Sequence, residues 1–372
     1  MTKICILTSV HPVFDDRIFH KEANALAGAG YNVRLIAQHE KDDIVNRIKI
    51  IALPKPINRL ERFFKLDYLT YKKALQQKAD IYHFHDPELL PWMVILKKKT
   101  KAKIIYDVHE HYPNAILDKY WINKFLRFLI SKFFDFIERM LVPMLDFVIY
   151  TTPIVGERYK KMKITSQGIE NYPIIQLSKN FKKNPQKRII YLGGITKIRG
   201  IVELIKAFSI ILKKHHDWKL YLLGNITPKI FFTEINKLIL SLNIKKNVKL
   251  INWVPYREKE KYSSMASIGV VTYLPYANHT SCLPNKLFDY MLVGLPVVAS
   301  NFSLYKEIVE KNNCGICVNP LIPEKIAKTI EYLIEHPNEV KKMGENGRKA
   351  VLEKYNWESE SKKLLGIYKK LL

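Results

Sequence analysis

Cysteine is scarce in this chain: four among 372 residues, at positions 5, 282, 314 and 317. That is too few for a disulfide-stapled scaffold and points to a reducing compartment. Cys314-Gly-Ile-Cys317 has the spacing of a metal or redox pair. No second pair completes a zinc site, so strand cysteines around a turn are expected. Long apolar runs are missing as well: no 18 consecutive apolar residues occur, and no transmembrane helix is expected. The apolar opening Ile4–Val10 is too short for the core of a secretory signal and reads as a strand. Acidic residues are few, 35 Asp and Glu against 61 Lys and Arg, for a formal net charge of +26. Such an excess favours an anionic partner: nucleic acid, anionic lipid or a phosphorylated substrate. The charge is spread, with 28 basic and 19 acidic side chains in residues 1–171 and 33 and 16 in the remainder. A nucleic-acid binder more often gathers its charge into one stripe with interleaved aromatics. HExxH, a Walker loop, a Gly-x-Ser-x-Gly elbow and an Asp-x-Asp motif are all absent.

What is present is a globular composition, 48% hydrophobic and 12% aromatic, in a chain long enough for two or three domains. Short apolar strands alternate with helices. Lys3–Thr8, Asn32–Ala37, Ile81–Phe84, Lys103–Tyr106 and Phe147–Thr151 read as strands, with a helix over Arg17–Ala29. The pattern restarts at Arg188–Leu192 and continues with Trp218–Leu223, Val248–Ile251, Ile268–Thr272, Val297–Ala299 and Ile316–Val318. This alternation implies parallel sheets covered by helices, with ligands beyond the carboxyl ends of the strands. The expectation is an α/β protein of two doubly wound, Rossmann-like domains facing a cleft. They cover residues 1–171 and 187–355, joined by a polar, lysine-rich linker at 172–186. A terminal helix, 356–372, is expected to cross back to the first domain.

Two segments of the second half carry the most chemistry. Leu283-Pro-Asn-Lys-Leu-Phe-Asp289 opens a short amphipathic helix that Gly294 ends, before the strand at Val297. Pro284 suits the first helical turn. The free N–H groups of such a start, with the positive end of its dipole, suit a phosphate. Asp289, a turn and a half inside, is placed to accept hydrogen bonds from the paired hydroxyls of a ribose. Tyr191-Leu-Gly-Gly-Ile-Thr-Lys-Ile-Arg-Gly200 is a strand running into a Gly193-Gly194 turn. Arg199 can pair with a diphosphate and Lys197 can assist.

In the first half, the loops after three strands hold histidines and carboxylates: His11, Asp15, Asp16 and Arg17; then His85 and Asp86; then His109 and Glu110. Asp15 or Asp16 is expected to cap the following helix. Five histidines and several acids make a metal site conceivable, yet no helical ligand spacing supports one. His109, after an apolar strand, is the best catalytic candidate among them. Ile122–Leu141 has a wide apolar face and a narrow polar stripe. A mostly buried helix is the first expectation, and a helix lying on a membrane, aided by the Lys97–Lys103 cluster, the second.

Taken together, these segments resemble the GT-B glycosyltransferases of retaining family 4. The likeness rests on HPVFDDRIFHKEANALAGAGYNV, HFHDPELLP, YDVHEHYP, YLGGITKIRG and LPNKLFDYMLVGLPVVAS, in that order. The branch that builds bacterial surface polysaccharides, such as lipopolysaccharide or capsule, is the most similar. The resemblance implies transfer of a sugar from a UDP- or GDP-sugar to a hydroxyl acceptor, a lipid-linked or polysaccharide intermediate, with retention. It implies no cofactor and no metal. It gives Asp289 the donor ribose and Arg199 the diphosphate, with backbone donors from Leu283, Pro284 and Asn285. His109 falls near the reacting sugar, and His11, Asp16, Arg17, His85, Asp86 and Glu110 on the acceptor side. Two positions depart from the family's pattern. Ser281 stands where an acidic residue is usual, and Gly194 where an arginine is frequent; Lys197 or Lys286 is expected to compensate. The alternatives are a nucleotide-sugar epimerase of the same fold and a non-enzymatic basic protein binding nucleic acid or membrane. The implied place of action is the cytoplasm, at the inner face of the plasma membrane.

Overall fold

The computed structural model describes the whole chain except Tyr120, Trp121, 176–183, Trp253 and Pro255; for Tyr256 and Arg257 it describes the backbone. Most of the expected linker thus lies outside the described residues. The rest divides into two compact units, Met1–Asn171 with Trp357–Leu372, and Tyr172–Asn356.

The first unit is built on eight strands: β1 (Lys3–Pro12), β2 (Asn32–Gln38), β3 (Asp43–Val45), β4 (Ile48–Leu53), β5 (Ile81–Phe84), β6 (Lys103–Val108), β7 (Phe147–Tyr150) and β8 (Ser166–Gly168). Their order is β3-β4-β2-β1-β5-β6-β7-β8. All pairs are parallel except β3–β4 at the edge. Ile4 pairs with both Val33 and Ile81, so β1 lies in the middle. Ile4 to Leu7 are fully buried, as a strand covered on both faces requires. The reading from sequence stopped β1 at Thr8 and passed over β3 and β4. The helix Trp357–Leu371 completes this unit, with Leu364, Ile367 and Tyr368 fully buried. The Tyr368 hydroxyl lies 2.7 Å from His83 Nδ1 on β5.

The second unit has, among the described residues, six strands: β9 (Arg188–Leu192), β10 (Lys219–Leu223), β11 (Val248–Ile251), β12 (Ile268–Val271), β13 (Val297–Ser300) and β14 (Gly315–Val318). They run parallel in the order β11-β10-β9-β12-β13-β14. The helix Asn285–Leu292 packs across this sheet. Gly269 on β12 admits it closely: a Cβ there would stand 2.6 Å from the Tyr290 ring. The Leu192 N–H, at the end of β9, donates to the Tyr290 hydroxyl at 2.8 Å. These contacts fix the helix start against the turn after β9. Pro284 caps the helix from outside, and the first helical residue is Asn285.

One expectation is overturned. The helix Lys124–Leu141 is not mostly buried; Ser131 and Glu138 are its buried side chains. Four of its five phenylalanines face outward, with Phe125 69%, Phe133 67% and Phe136 58% exposed. The inward face is polar because it has polar partners: Ser131 donates to the Pro113 carbonyl at 2.8 Å, and Glu138 accepts from Arg158 and Tyr159. No helix of the described residues is long and apolar enough to cross a membrane.

Candidate active site

The carboxyl ends of the adjacent strands β1, β5 and β6 bring the first-half histidines together. The ring centroids of His11 and His109 are 5.4 Å apart, and those of His85 and His109 5.2 Å. His85 Nδ1 meets His109 Nε2 at 3.1 Å. His11 bonds Asp15 at 3.2 Å. Burial opposes charge on His11, but Asp15, Asp86 and Glu110 outweigh it and raise its pKa above the usual histidine value. Burial, with Arg17 and His11, outweighs Asp107 and Asp15 at His109 and pushes it down to about 3, so its imidazole is neutral. Asp15 caps the helix that follows, accepting from the N–H groups of Arg17 and Ile18 at 2.9 and 3.0 Å.

Two residues expected on the acceptor side turn inward. Arg17 is 3% exposed. It forms a two-pronged bond with Asp107 at 2.9 and 3.1 Å and an ion pair with Glu22 at 2.9 Å, and donates to the Ile169 carbonyl. Asp86 is 2% exposed and ties β1 to β5 by accepting from Thr8 and from the N–H groups of Ser9 and Val10. These charged groups hold the loops from beneath, since a buried charge needs a partner and the loops supply it. His85 is fully buried as well and touches the site through His109. Asp16 and Glu110 stay at the loop surface, half-buried.

Beneath this layer, Glu22, His83, His85 and Asp107 bring four ligand atoms within 4.8 Å of one another. The donor set of two imidazoles and two carboxylates is one a divalent metal accepts. Arg17 already engages both carboxylates, which leaves one negative charge for a proton or cation. Burial and the neighbouring Asp107 hold Glu22 well above the usual carboxyl range, which favours the proton.

The second unit gathers cations instead. Gly193 has φ +104°, and Gly194 follows it in the turn after β9. Arg199 Nη1 donates to the Gly194 carbonyl at 3.1 Å, and the Tyr191 hydroxyl donates to the same oxygen at 2.8 Å. A Cβ on Gly194 would come within 2.8 Å of the guanidinium, so this glycine gives Arg199 its place. Lys286, from the first turn of the neighbouring helix, lies 3.7 Å from the ring centre of Tyr191 and 4.9 Å from that of Tyr273. Its amine is buried and has no hydrogen-bond partner among the described residues. Burial and Arg199 push the Lys286 pKa well below the ordinary lysine range, against the pull of Asp289. Arg199 itself lies 5.5 Å from the Tyr273 ring centre. Two cations resting on aromatic faces are stabilised by the rings yet repel each other, and an anion between them relieves both.

Over residues 17–170 the chain matches the family described as Glycosyltransferase Family 4, and over 175–350 that described as Glycosyl transferases group 1. The chain belongs to the family-4 glycosyltransferases. It is 26% identical over 348 residues to an uncharacterized glycosyltransferase of Haemophilus influenzae, covering 90% of each chain. It is 27% identical over 217 residues to the capsular polysaccharide biosynthesis glycosyltransferase CapM of Staphylococcus aureus, covering 58% of this chain and 53% of that one. A match to an uncharacterized glycosyltransferase of Methanocaldococcus jannaschii spans 54% of that protein, so the chain covers about half the length of several curated relatives. Sucrose-phosphate synthase of Thermosynechococcus elongatus superposes with a TM-score of 0.82 at 18% identity, over 100% of this chain and 99% of that one. HepE of Anabaena, solved with UDP and glucose, superposes at 0.75 and 14% identity over the whole of both chains. The glycosyltransferase therefore has the GT-B fold, two parallel-sheet α/β domains.

The remaining candidates of this glycosyltransferase fall around the cation pair. Ser281 is 5% exposed, and its hydroxyl donates back to the Ala277 carbonyl at 2.9 Å within its own short helix. Lys197 is exposed on the turn beyond Gly194, and Asn285 on the helix start. Leu283 and Pro284 are half-buried beside it. Asp289 lines a small crevice with Leu192, Lys259 and Ser263. Sequence reasoning missed Tyr191, Tyr273 and His279. His279 is 9% exposed, bonds the Leu274 carbonyl at 3.1 Å, and is held neutral by burial, with its pKa lowered to about 4. The available signal was position: Tyr191 and Tyr273 flank the carboxyl ends of β9 and β12.

Proposed function

We propose that this glycosyltransferase moves a hexosyl group from a UDP- or GDP-sugar to a hydroxyl of a lipid-linked or polysaccharide acceptor, with retention and without a metal or cofactor. The observation that carries the reading is the Arg199–Lys286 pair, two adjacent cations held by tyrosine rings with a buried amine awaiting an anion. The donor diphosphate fits there, beside the N–H groups at Asn285 and with Asp289 toward the ribose. In the transfer, a bond forms from the acceptor oxygen to the anomeric carbon as the bond to the diphosphate oxygen breaks. The acceptor proton goes to the departing diphosphate. Arg199 and Lys286 stabilise the charge that develops on it, the role a metal plays elsewhere. Neutral His109, with Glu110, lies on the acceptor-binding unit. The likeness to CapM supports a surface-polysaccharide acceptor, and the exposed helix Lys124–Leu141 supports work at the inner membrane face.

A thermal-shift panel of UDP, GDP and their sugars identifies the donor, since a true ligand raises the melting point by mass action. Arg199→Ala and Asp289→Ala are expected to abolish donor turnover, with EDTA leaving the wild type unaffected. Full turnover by both variants overturns the donor-site assignment, and loss of activity in EDTA overturns metal independence.

A further inference from the structure

The helix Lys124–Leu141 is built inside out for a soluble protein. Phe125, Leu129, Phe133, Phe136 and Met140 form one stripe along it, and each is at least 47% exposed. Leu126, Phe128 and Ile130 widen that stripe, being 50%, 51% and 39% exposed. Monomeric proteins rarely leave contiguous apolar patches above a few hundred Å². Eight large side chains, each half-exposed and carrying about 150–250 Å² when aromatic, exceed that.

A second apolar segment stands on the same unit. Ile57, Leu60 and Phe64 are 89%, 70% and 76% exposed around the helical turns at 59–66. Both segments are anchored to the loops of the candidate site. Arg62 pairs with Glu88, in the loop after β5, at 2.6 Å. Phe134 packs edge-on against Tyr112, whose hydroxyl donates to the His85 carbonyl at 3.3 Å. Arg127 of the long helix donates to the Leu117 carbonyl at 2.9 Å, and Lys119, two residues on, interacts electrostatically with Arg59, Arg62, Glu88 and Glu110.

The charges at the edges of these segments are mostly basic: Lys124, Lys132 and Arg139 on one helix, Arg59, Arg62 and Lys65 on the other. Their acidic neighbours are engaged, Asp135 by Arg139 and Arg158, Glu61 by Lys65. A second copy of this chain would set the same basic rim against itself in a two-fold contact. An anionic bilayer meets both features at once, apolar chains below and phosphates at the rim.

We propose that the faces of 57–64 and 124–140 together form a docking surface for an anionic lipid bilayer. Phe125, Leu129, Phe133 and Phe136 enter the acyl boundary, and Lys132, Arg139 and Arg59 meet lipid phosphates. The surface borders the loops that carry His85, His109 and Glu110. Where the transferase reading holds, an acceptor whose lipid end stays in the bilayer reaches that site without leaving the membrane.

The test is co-sedimentation of the full chain with vesicles of phosphatidylcholine alone and of phosphatidylcholine with phosphatidylglycerol. Binding is expected to the anionic vesicles, and to weaken at least about tenfold in the triple variant Phe125→Ser, Phe133→Ser, Phe136→Ser. Lys132→Glu with Arg139→Glu is expected to weaken it similarly, and added salt to do the same. Leu60→Ser with Phe64→Ser tests the second segment. Circular dichroism and donor binding, read on the same samples, are expected to be unchanged. Absence of wild-type binding, or equal binding by the variants, overturns the proposal, as does a wild-type dimer that the triple variant converts to monomer without vesicle binding. Donor binding lost in the wild type would instead overturn the transferase reading and leave this surface standing.

Discussion

The two units handle buried charge in opposite ways. In the first, Arg17 lies between Asp107 and Glu22, and Asp86 accepts three hydrogen bonds, so the charges are matched inside the protein. In the second, Lys286 and Arg199 rest on Tyr191 and Tyr273, and the buried amine has no partner among the described residues. Matched charges hold loops in place; an unmatched one is stabilised by any anion that reaches it. Both sets follow parallel strands at their carboxyl ends, yet only the first is neutralised by its own loops.

The sharpest way to break this contrast is to remove one charge from each unit. Arg17→Met leaves the buried Asp107–Glu22 pair without its counter-ion and is expected to cost about 3–5 kcal/mol in urea unfolding. A loss below 1 kcal/mol would show that the network holds nothing. Lys286→Met carries the opposite sign for stability, neutral or favourable, because it removes a buried amine with no hydrogen-bond partner among the described residues. Its cost falls on nucleotide affinity, expected to drop about 10–100-fold, or 1.4–2.8 kcal/mol, in calorimetry.

A pH titration refines the account of the first unit. Burial and the nearby Glu360 push Glu170 up to about 8. Its folded pKa exceeds the ordinary 4.5, so the unfolded chain releases this proton first. Stability is then fully present below about pH 4.5 and declines as pH rises toward 8. Glu170→Gln is expected to flatten that decline and to be more stable by about 1–2 kcal/mol above pH 8, after allowance for partial exposure. The smallest effect belongs to the outward helix: Phe125→Ser and Phe133→Ser are expected to change unfolding free energy by less than about 0.5 kcal/mol. A large loss would restore the buried reading of that helix.

Much of the second unit was legible in the sequence because its signals are local. The Gly193-Gly194 turn, the start near Pro284 and the stop at Gly294 lie within short windows, and strands such as Arg188–Leu192 are bounded as expected. The first unit was harder. Arg17 meets Asp107 90 residues away, and a loop histidine or arginine looks the same whether it points into the sheet or out of it. Asp15 was legible as a cap because its partners are its own neighbours. The edge strand β3 and its neighbour β4 were passed over because the strand-helix alternation pauses there for an antiparallel turn.

By itself the sequence determined two parallel α/β units, the glycine turn, and the basic and acidic residues near it. It also determined that the helix at 124–141 has one apolar face, because a 3.6-residue period encodes a stripe. Which way that stripe points was left to the tertiary structure. Pro113, Arg158 and Tyr159 supplied hydrogen-bond partners for Ser131 and Glu138, and the polar face turned inward. The tertiary structure likewise decided that Arg17 holds loops while Lys286 rests on the Tyr191 ring. Periodicity is written in neighbours along the chain; the partner that satisfies or neglects a charge is brought by the fold.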